Sequence, residues 1–302
     1  MDEFDAVVIG AGPAGLSAAL YLARGRRSVL VCDDGAPRNR QVIHSHGFLT
    51  RDGVAPAELA RLAWADVSAY PSVRRRTGTV VDARKVDGAF VLAWADGTAV
   101  RARGVVYAAG MRDLLPPIPG LAETWGVGAF FCPFCHAWEL QDEPLGVYGQ
   151  DAYAAHMPFV ARAWTERLTL FADGPFTGPE ELRAKLARNG VQIEEARVRG
   201  LVLDGRALRA VVVEGGREVL CRGLLIKPPS EPVSDLCARL GAAMNEDGAP
   251  VLDRMGQTTV PMLFVAGDAT GGLPTLVTAL ASGAMVGGAL ANFLAMAEAA
   301  AR

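Results

Sequence analysis

The sequence predicts an α/β protein of two Rossmann-like, three-layer ββα dinucleotide-binding domains, the second inserted into a discontinuous first. Three observations predict it. The chain opens on a strand, a glycine turn, a helix and a second strand. Another strand–helix–strand pattern begins near residue 145, and two proline-rich connections bracket the stretch between about 117 and 241. A chain of 302 residues has room for both domains. The expected boundaries are 1–116 with 242–302 for the first domain and 117–241 for the inserted one.

Residues 4–9 read as a strand apolar on both faces, which suits the middle of a parallel sheet. A helix over 14–24 and a strand over 28–32 follow, running into Asp33 and Asp34. Residues 78–110 read as β-rich, with strands at 79–83, 90–95 and 99–108 and a turn at Asp96 and Gly97. The proline-rich run 114–120 is the first crossing. Beyond it the pattern predicts a strand over 145–148, a helix over 152–164, a strand over 168–171 and a helix over 179–189. Strands follow near 191–194, 198–203, 207–213 and 217–226. Residues 227–232 form the second crossing. A buried strand over 262–265 then leads to Gly267 and Asp268, and a long small-residue helix runs to the end.

The first glycine turn carries chemistry. Gly10, Gly12 and Gly15 have G-x-G-x-x-G spacing, with Pro13 and Ala14 between the last two, directly after a strand and opening a helix. The first glycine permits the tight turn, the second admits a pyrophosphate to the backbone, and the third allows helix and strand to pack closely. The helix N-terminus supplies free N–H groups and partial positive charge. Asp33, about 20 residues on, is placed to accept hydrogen bonds from a ribose. Gly267 and Asp268 set a carboxylate at a second crevice position beside another helix, and FAD is long enough to need both ends of such a site. Asp268 acting only as a cap of the final helix is the competing reading.

Cys132 and Cys135 form a Cys-x-x-Cys pair, able to close a small disulphide at a helix start. A zinc half-site would need a second pair, and Cys221 and Cys237 stand apart from each other; no metal is expected. With His136 the string also matches a c-type haem attachment signature, which requires export. Packing without a redox role is the remaining alternative to a redox pair. His136 can donate and accept protons at neutral pH. His44 and His46 share one loop and are possible further catalytic residues, whereas His156 reads as structural. Cys32, Cys221 and Cys237 read as ordinary buried or partly buried thiols.

A net charge of −3 gives no reason to expect nucleic acid or an anionic membrane as partner. The basic clusters at 24–27 and 74–76 are short enough to be solvated edges. The apolar N-terminal run begins with acids and is broken by Gly10, Gly12, Pro13 and Gly15, so it suits neither a secretory signal nor a membrane span. The apolar stretch 276–296 carries three glycines, with Ser282 and Asn292 as well, which suits a buried helix. The expectation is a cytoplasmic protein, in which five cysteines are not a disulphide framework.

Over nearly its whole length the chain resembles the low-molecular-weight thioredoxin reductase family. The resemblance rests on the glycine loop at 10–15, the strand end at Ala108, Ala109 and Gly110, residues 126–135 with their cysteine pair, and Gly267-Asp268 before the terminal helix. It implies a homodimer with an FAD domain and an inserted NADPH-type domain carrying the pair. It also implies that Cys135 faces the flavin, that Cys132 attacks substrate, and that Asp34, Thr275, Leu276 and Val277 join the FAD-binding residues. Two departures stand out. His136 replaces the family's Asp after the second cysteine, and Asp151 replaces the close-approach glycine of the second loop. With no arginine in the run 168–174, an NADPH site looks lost. The sequence is similar to a reductase-like subgroup that includes the dithiol oxidases of the gliotoxin and holomycin pathways, in which a small dithiol is oxidised and oxygen takes the electrons. The function expected is thiol–disulphide exchange between FAD and a small dithiol or a thioredoxin-like protein. A conventional NAD(P)H-dependent reductase, a ferredoxin-linked reductase and a non-catalytic flavin redox sensor are the alternatives.

Overall fold

The computed structural model describes residues 1–301 and divides into two compact units. One comprises Met1–Arg40, Ala57–Arg112 and the chain from Glu231 onward, and the other Gln41–Pro56 and Asp113–Ser230.

In the first unit, β1 (Asp2–Ile9) lies mid-sheet, parallel to β2 (Val29–Asp33) on one side and to β6 (Ala99–Tyr107) on the other. Its apolar run serves two cores at once. Ala6 and Val8 pack toward α1 (Pro13–Arg24) and α8 (Leu276–Ala300). Val7 and Ile9 pack toward the hairpin of β4 (Val80–Val86) and β5 (Ala89–Trp94). The free edge of β6 is shared: Phe90 of β5 lies opposite Ala102, antiparallel, and Leu263 of β17 (Leu263–Val265) lies opposite Val105, parallel. Helices, parallel sheet and antiparallel strands thus make the three layers the sequence predicts.

Among the elements not anticipated are α2 (Pro56–Ser68) and the edge strand β3 (Val73–Thr77). Only Val67 of α2 is fully buried, with Ala63 and Trp64 packed against the core beside it. The Arg74–Arg76 cluster is the solvated edge expected of it, with Arg76 set 3.9 Å over the Trp94 ring and Arg75 4.6 Å over Trp64. By length and composition α8 could cross a bilayer. Two of its glycines pack tightly against α1: a Cβ on Gly283 would overlap the Ala14 carbonyl, and one on Gly287 the Ala18 carbonyl.

The second unit repeats the plan. Its parallel sheet runs β11 (Gln192–Glu194), β10 (Leu168–Phe171), β9 (Leu145–Tyr148), β15 (Gly223–Leu225), β8 (Ala129–Phe130). One core lies between the sheet and α5 (Ala152–Ala161) with α6 (Glu180–Arg188). The other lies against the meander of β12 (Val198–Asp204), β13 (Ala207–Val213) and β14 (Glu218–Leu220).

Three expectations need correction. The single strand expected over 217–226 is two, β14 and β15, in different sheets, because the chain changes sheet at Cys221 and Arg222. Residues 231–241, expected in the inserted domain, belong to the first unit: Leu236 and Cys237 are buried in its core, and Tyr107 donates a hydrogen bond to the Ser234 carbonyl at 2.8 Å. The loop 41–56, expected in the first domain, belongs to the second unit, where Gly126 packs against Val42.

Candidate active site

The dinucleotide cradle lies at the carboxyl end of β1. Gly10, with φ +98°, turns the chain where a Cβ would overlap the Ala108 carbonyl, and a Cβ on Gly15 would overlap the Gly10 carbonyl. Gly12 differs from both: nothing lies within 4 Å of its Cβ position. It is the N-cap of α1, has no side chain to satisfy the helix end, and Pro13 occupies the first turn. Open space over an uncapped helix N-terminus fits the pyrophosphate of a dinucleotide. Ala14 is buried behind it.

Asp33 Oδ1 accepts the Ala11 N–H at 2.9 Å, and Oδ2 accepts that of Gly35 at 3.1 Å. The acid therefore braces the glycine loop and keeps lone pairs for a ribose. Asp34 is exposed and accepts the Ala36 N–H in a local turn at 3.0 Å. Ala109 packs against the core, and Gly110, with φ +75°, turns the strand end outward.

Asp268 does not cap the final helix. Its Oδ2 pairs with Arg38 Nη1 at 2.7 Å, an arginine the sequence reading passed over because nothing local marks it. The cap of α8 is Thr275, in a reciprocal capping box with Thr278, followed by Leu276 and the half-exposed Val277. Gly267 donates its N–H to Ser282 Oγ at 2.9 Å, which ties the Gly-Asp turn to α8.

In the second unit, Cys132 and Cys135 are joined as a disulphide with Cα atoms 5.4 Å apart, and both are half-buried. Cys132 caps the short helix α4 (Pro133–His136), with Pro133 at its first position. Tyr153 of α5 donates to the Phe131 carbonyl at 2.6 Å, and Phe134 meets Trp164 edge-on at 5.3 Å, so the helix holds the cysteine turn from one side. Phe134 and Trp138 remain largely exposed beside the pair.

His136 stacks on Phe130, ring centroids 4.8 Å apart and planes within 13°. Both its ring nitrogens are buried without a hydrogen-bond partner of normal geometry, and the backbone of Cys132 and Gly126 beside the ring acts to raise its proton affinity. Burial holds its proton affinity below the ordinary histidine value, so the ring is neutral at pH 7. His46 lies 3.3 Å from Glu139 and 3.5 Å from Asp52. His44 hydrogen-bonds the Gly53 carbonyl at 3.0 Å within its own loop. His156 is exposed on α5. Cys32, Cys221 and Cys237 are free and buried, and burial pushes each thiol up to about 12. Among the described residues no cluster of His, Cys, Asp and Glu could hold a metal ion.

The second turn is filled from within. Asp151 is the N-cap of α5, and its Oδ1 accepts the Ala154 N–H at 2.8 Å. Gln150 spans the ends of β9 and β10: its Nε2 donates to the carbonyls of Ala172 and Pro175 at 2.9 and 3.0 Å, and its Oε1 accepts the Thr177 N–H at 2.6 Å. Asp173 accepts from Tyr148 Oη at 2.8 Å and from the Val198 N–H at 2.7 Å.

Comparison with known proteins agrees with this geometry. The pyridine nucleotide-disulphide oxidoreductase family pattern matches residues 4–283. The thioredoxin reductase tcpT of Claviceps purpurea is 30% identical, the match covering 94% of this chain and 92% of that one. The crystal structure of an oxidoreductase from Agrobacterium tumefaciens superimposes with a TM-score of 0.91 at 36% identity, covering 98% of this chain and 99% of that one. The crystal structure of HlmI gives 0.92 at 36% identity, covering 99% and 94%. A cysteine pair, a dinucleotide cradle and likeness over the full length lead to one assignment: the chain belongs to the pyridine nucleotide-disulphide oxidoreductase family, on its thioredoxin reductase-like side, and is an FAD-dependent oxidoreductase.

Proposed function

We propose that this enzyme exchanges electrons between FAD and a dithiol/disulphide substrate through Cys132 and Cys135, without a nicotinamide cofactor. The observation that carries the second half is Asp151. Its carboxylate takes the helix N-terminus where a second pyrophosphate would bind, so an incoming phosphate meets both a negative charge and an already satisfied donor. Gln150 and Asp173 support the same reading, because each is committed to the segments that would border a nicotinamide nucleotide.

Gly10, Gly12, Ala14 and Asp33 would hold FAD, with Asp268 at the far end. FAD supplies, when bound, a reversible acceptor for an electron pair. The exchange itself belongs to the chain. A substrate thiol gives its proton to neutral His136, and its sulphur attacks Cys132 Sγ. The Cys132–Cys135 bond breaks, its electron pair leaving on Cys135 Sγ. A second substrate thiol then attacks the mixed disulphide, so the substrate departs oxidised and the pair stays reduced. Run backwards, the same steps reduce a disulphide.

The substrate is a small dithiol or a thioredoxin-like protein. We further propose a homodimer, supported by the apolar face that α8 leaves exposed at Val277, Met285, Phe293 and Met296. Sedimentation at micromolar concentration tests it. A cytoplasmic site suits the three unpaired cysteines.

The test of function is anaerobic titration of the FAD-loaded protein with NADPH, NADH and a dithiol in turn, following flavin absorbance. Bleaching by the dithiol alone, reversed on admitting oxygen, is expected. Rapid bleaching by NADPH would show that Asp151 is tolerated and that the enzyme is a conventional reductase.

A further inference from the structure

β8 ends at Phe130 and α4 begins at Pro133, so Phe131 and Cys132 alone link strand to helix. Backbone bonds hold either side of the link: Ile226 donates its N–H to the Phe130 carbonyl at 3.0 Å, and Ala137 donates to the Pro133 carbonyl at 2.7 Å. Between them, the Phe131 carbonyl belongs to the same peptide as the Cys132 N–H, and a side chain holds it. Tyr153 Oη donates to it at 2.6 Å. The Tyr153 ring also stacks on that of Phe131, centroids 5.4 Å apart and planes within 28°. Tyr153 therefore grips the residue before Cys132 twice, once by its hydroxyl and once by its ring. Burial keeps the phenol protonated well above its ordinary range, so it donates at any pH near neutrality. It stands in the first turn of α5, two residues beyond the Asp151 cap, and belongs to the same compact unit as the cysteine pair.

We propose that Tyr153 is a positioning residue for the cysteine pair: by holding the Phe131 carbonyl it keeps Cys132 within reach of Cys135 when their bond is open, and so favours the closed pair. The inference rests on the exchange function given to the pair under Proposed function. While the bond is closed, the disulphide itself keeps the two Cα atoms 5.4 Å apart. Once it opens that tether is gone, and the Tyr153 hydroxyl still ties the peptide that leads into Cys132. Closure passes through a mixed disulphide on Cys132. The Cys135 sulphur attacks Cys132 Sγ, the bond to the incoming group breaks, and that group leaves as a thiol with the electron pair and a proton. Restricting Cys132 raises the effective concentration of one sulphur at the other. The hydroxyl matters apart from the ring, because a stack permits the peptide to rotate and a hydrogen bond to its oxygen does not.

The experiment uses the full-length, FAD-loaded protein and reads the cysteines directly. Wild type and Tyr153→Phe, which keeps the ring and loses the hydroxyl, are equilibrated anaerobically with mixtures of reduced and oxidised dithiothreitol. Acid stops the exchange, alkylation marks the open thiols, and peptide mass spectrometry counts the labels on Cys132 and Cys135. In Tyr153→Phe the equilibrium is expected to move toward the open pair by about three- to tenfold, or roughly 15–30 mV toward easier reduction. Tyr148→Phe, which removes the hydroxyl bonded to Asp173, is expected to leave it at the wild-type value. A merely structural role gives a different result: denaturation midpoints fall equally in the oxidised and reduced proteins, and the equilibrium does not move. That result, a shift toward the closed pair, or an equal shift in Tyr148→Phe overturns the inference and leaves dithiol exchange intact. A wild-type pair that stays closed in every mixture overturns the exchange function and this inference with it.

Discussion

The carboxylate of Asp151 accepts the backbone N–H of Ala154 at 2.8 Å, which places a fixed negative charge on the first turn of α5. A helix N-terminus with such a cap is stabilised by it. Asp151→Ala is expected to cost about 1 kcal/mol, seen as a lower chemical-denaturation midpoint with FAD still bound. Loss of FAD at native conditions in that variant would mean the cap does more than hold α5.

Gly12 and Gly15 separate binding from folding. A side chain at Gly12 meets open space in the protein, whereas one at Gly15 overlaps the Gly10 carbonyl. Gly12→Val is therefore expected to fold, by circular dichroism, yet purify colourless with FAD affinity reduced at least tenfold. Gly15→Val is expected to give little folded protein.

At Gly283 a side chain would drive α8 away from the Ala14 carbonyl. Gly283→Val is expected to destabilise the first unit by about 3 kcal/mol, with flavin release preceding loss of helix signal on heating, because Ala14 belongs to the cradle. A melting curve with both signals unchanged would sink this account of the α1–α8 contact.

Cys135→Ser is expected to abolish turnover while the protein stays yellow, since the cradle and the cysteine pair lie in different compact units. In that variant the Cys132 thiolate should still attack an aromatic disulphide probe, releasing one probe thiol and keeping the other half as a trapped mixed disulphide, visible as a mass increment. Full activity in Cys135→Ser would end the redox-pair assignment.

Burial pushes the Cys32, Cys221 and Cys237 thiols up to about 12, so their reactive thiolate is scarce until far above neutral pH. After mild reduction, iodoacetamide at pH 8 is expected to label two of the five cysteines, Cys132 and Cys135. For His136 the sign runs the other way. Its folded-state affinity is depressed by burial, so the unfolded chain takes up the proton first and stability falls as pH drops below about 6.5. His136→Phe should flatten that loss in denaturation midpoints measured between pH 7 and 5.

Much of the fold was legible because its signals are short-range. The strand over 168–171 and the helix ending at Arg24 were readable from apolar runs bounded by glycine or charge. The element α2 went unread although Leu59, Leu62, Ala63, Trp64 and Val67 recur along it, and in the fold only Val67 is fully buried. The break between β14 and β15 was missed as well. Both segments are apolar, and only the partner strands show that Leu220 and Gly223 belong to separate sheets.

The sequence by itself determined the features in which a residue acts on its near neighbours. The glycine spacing at 10–15, the reach of Cys132 to Cys135, and the carboxylate at the start of α5 all follow from backbone geometry over a few residues. Tertiary structure decided the rest: Arg38 against Asp268, His46 against Glu139, Gly283 against Ala14, and Leu236 in the core of the first unit. These partners are remote along the chain, and no local propensity selects them. They meet because burying the two faces of each sheet fixes where the loops and helix ends emerge, and the side chains there pair with whatever that packing brings within reach.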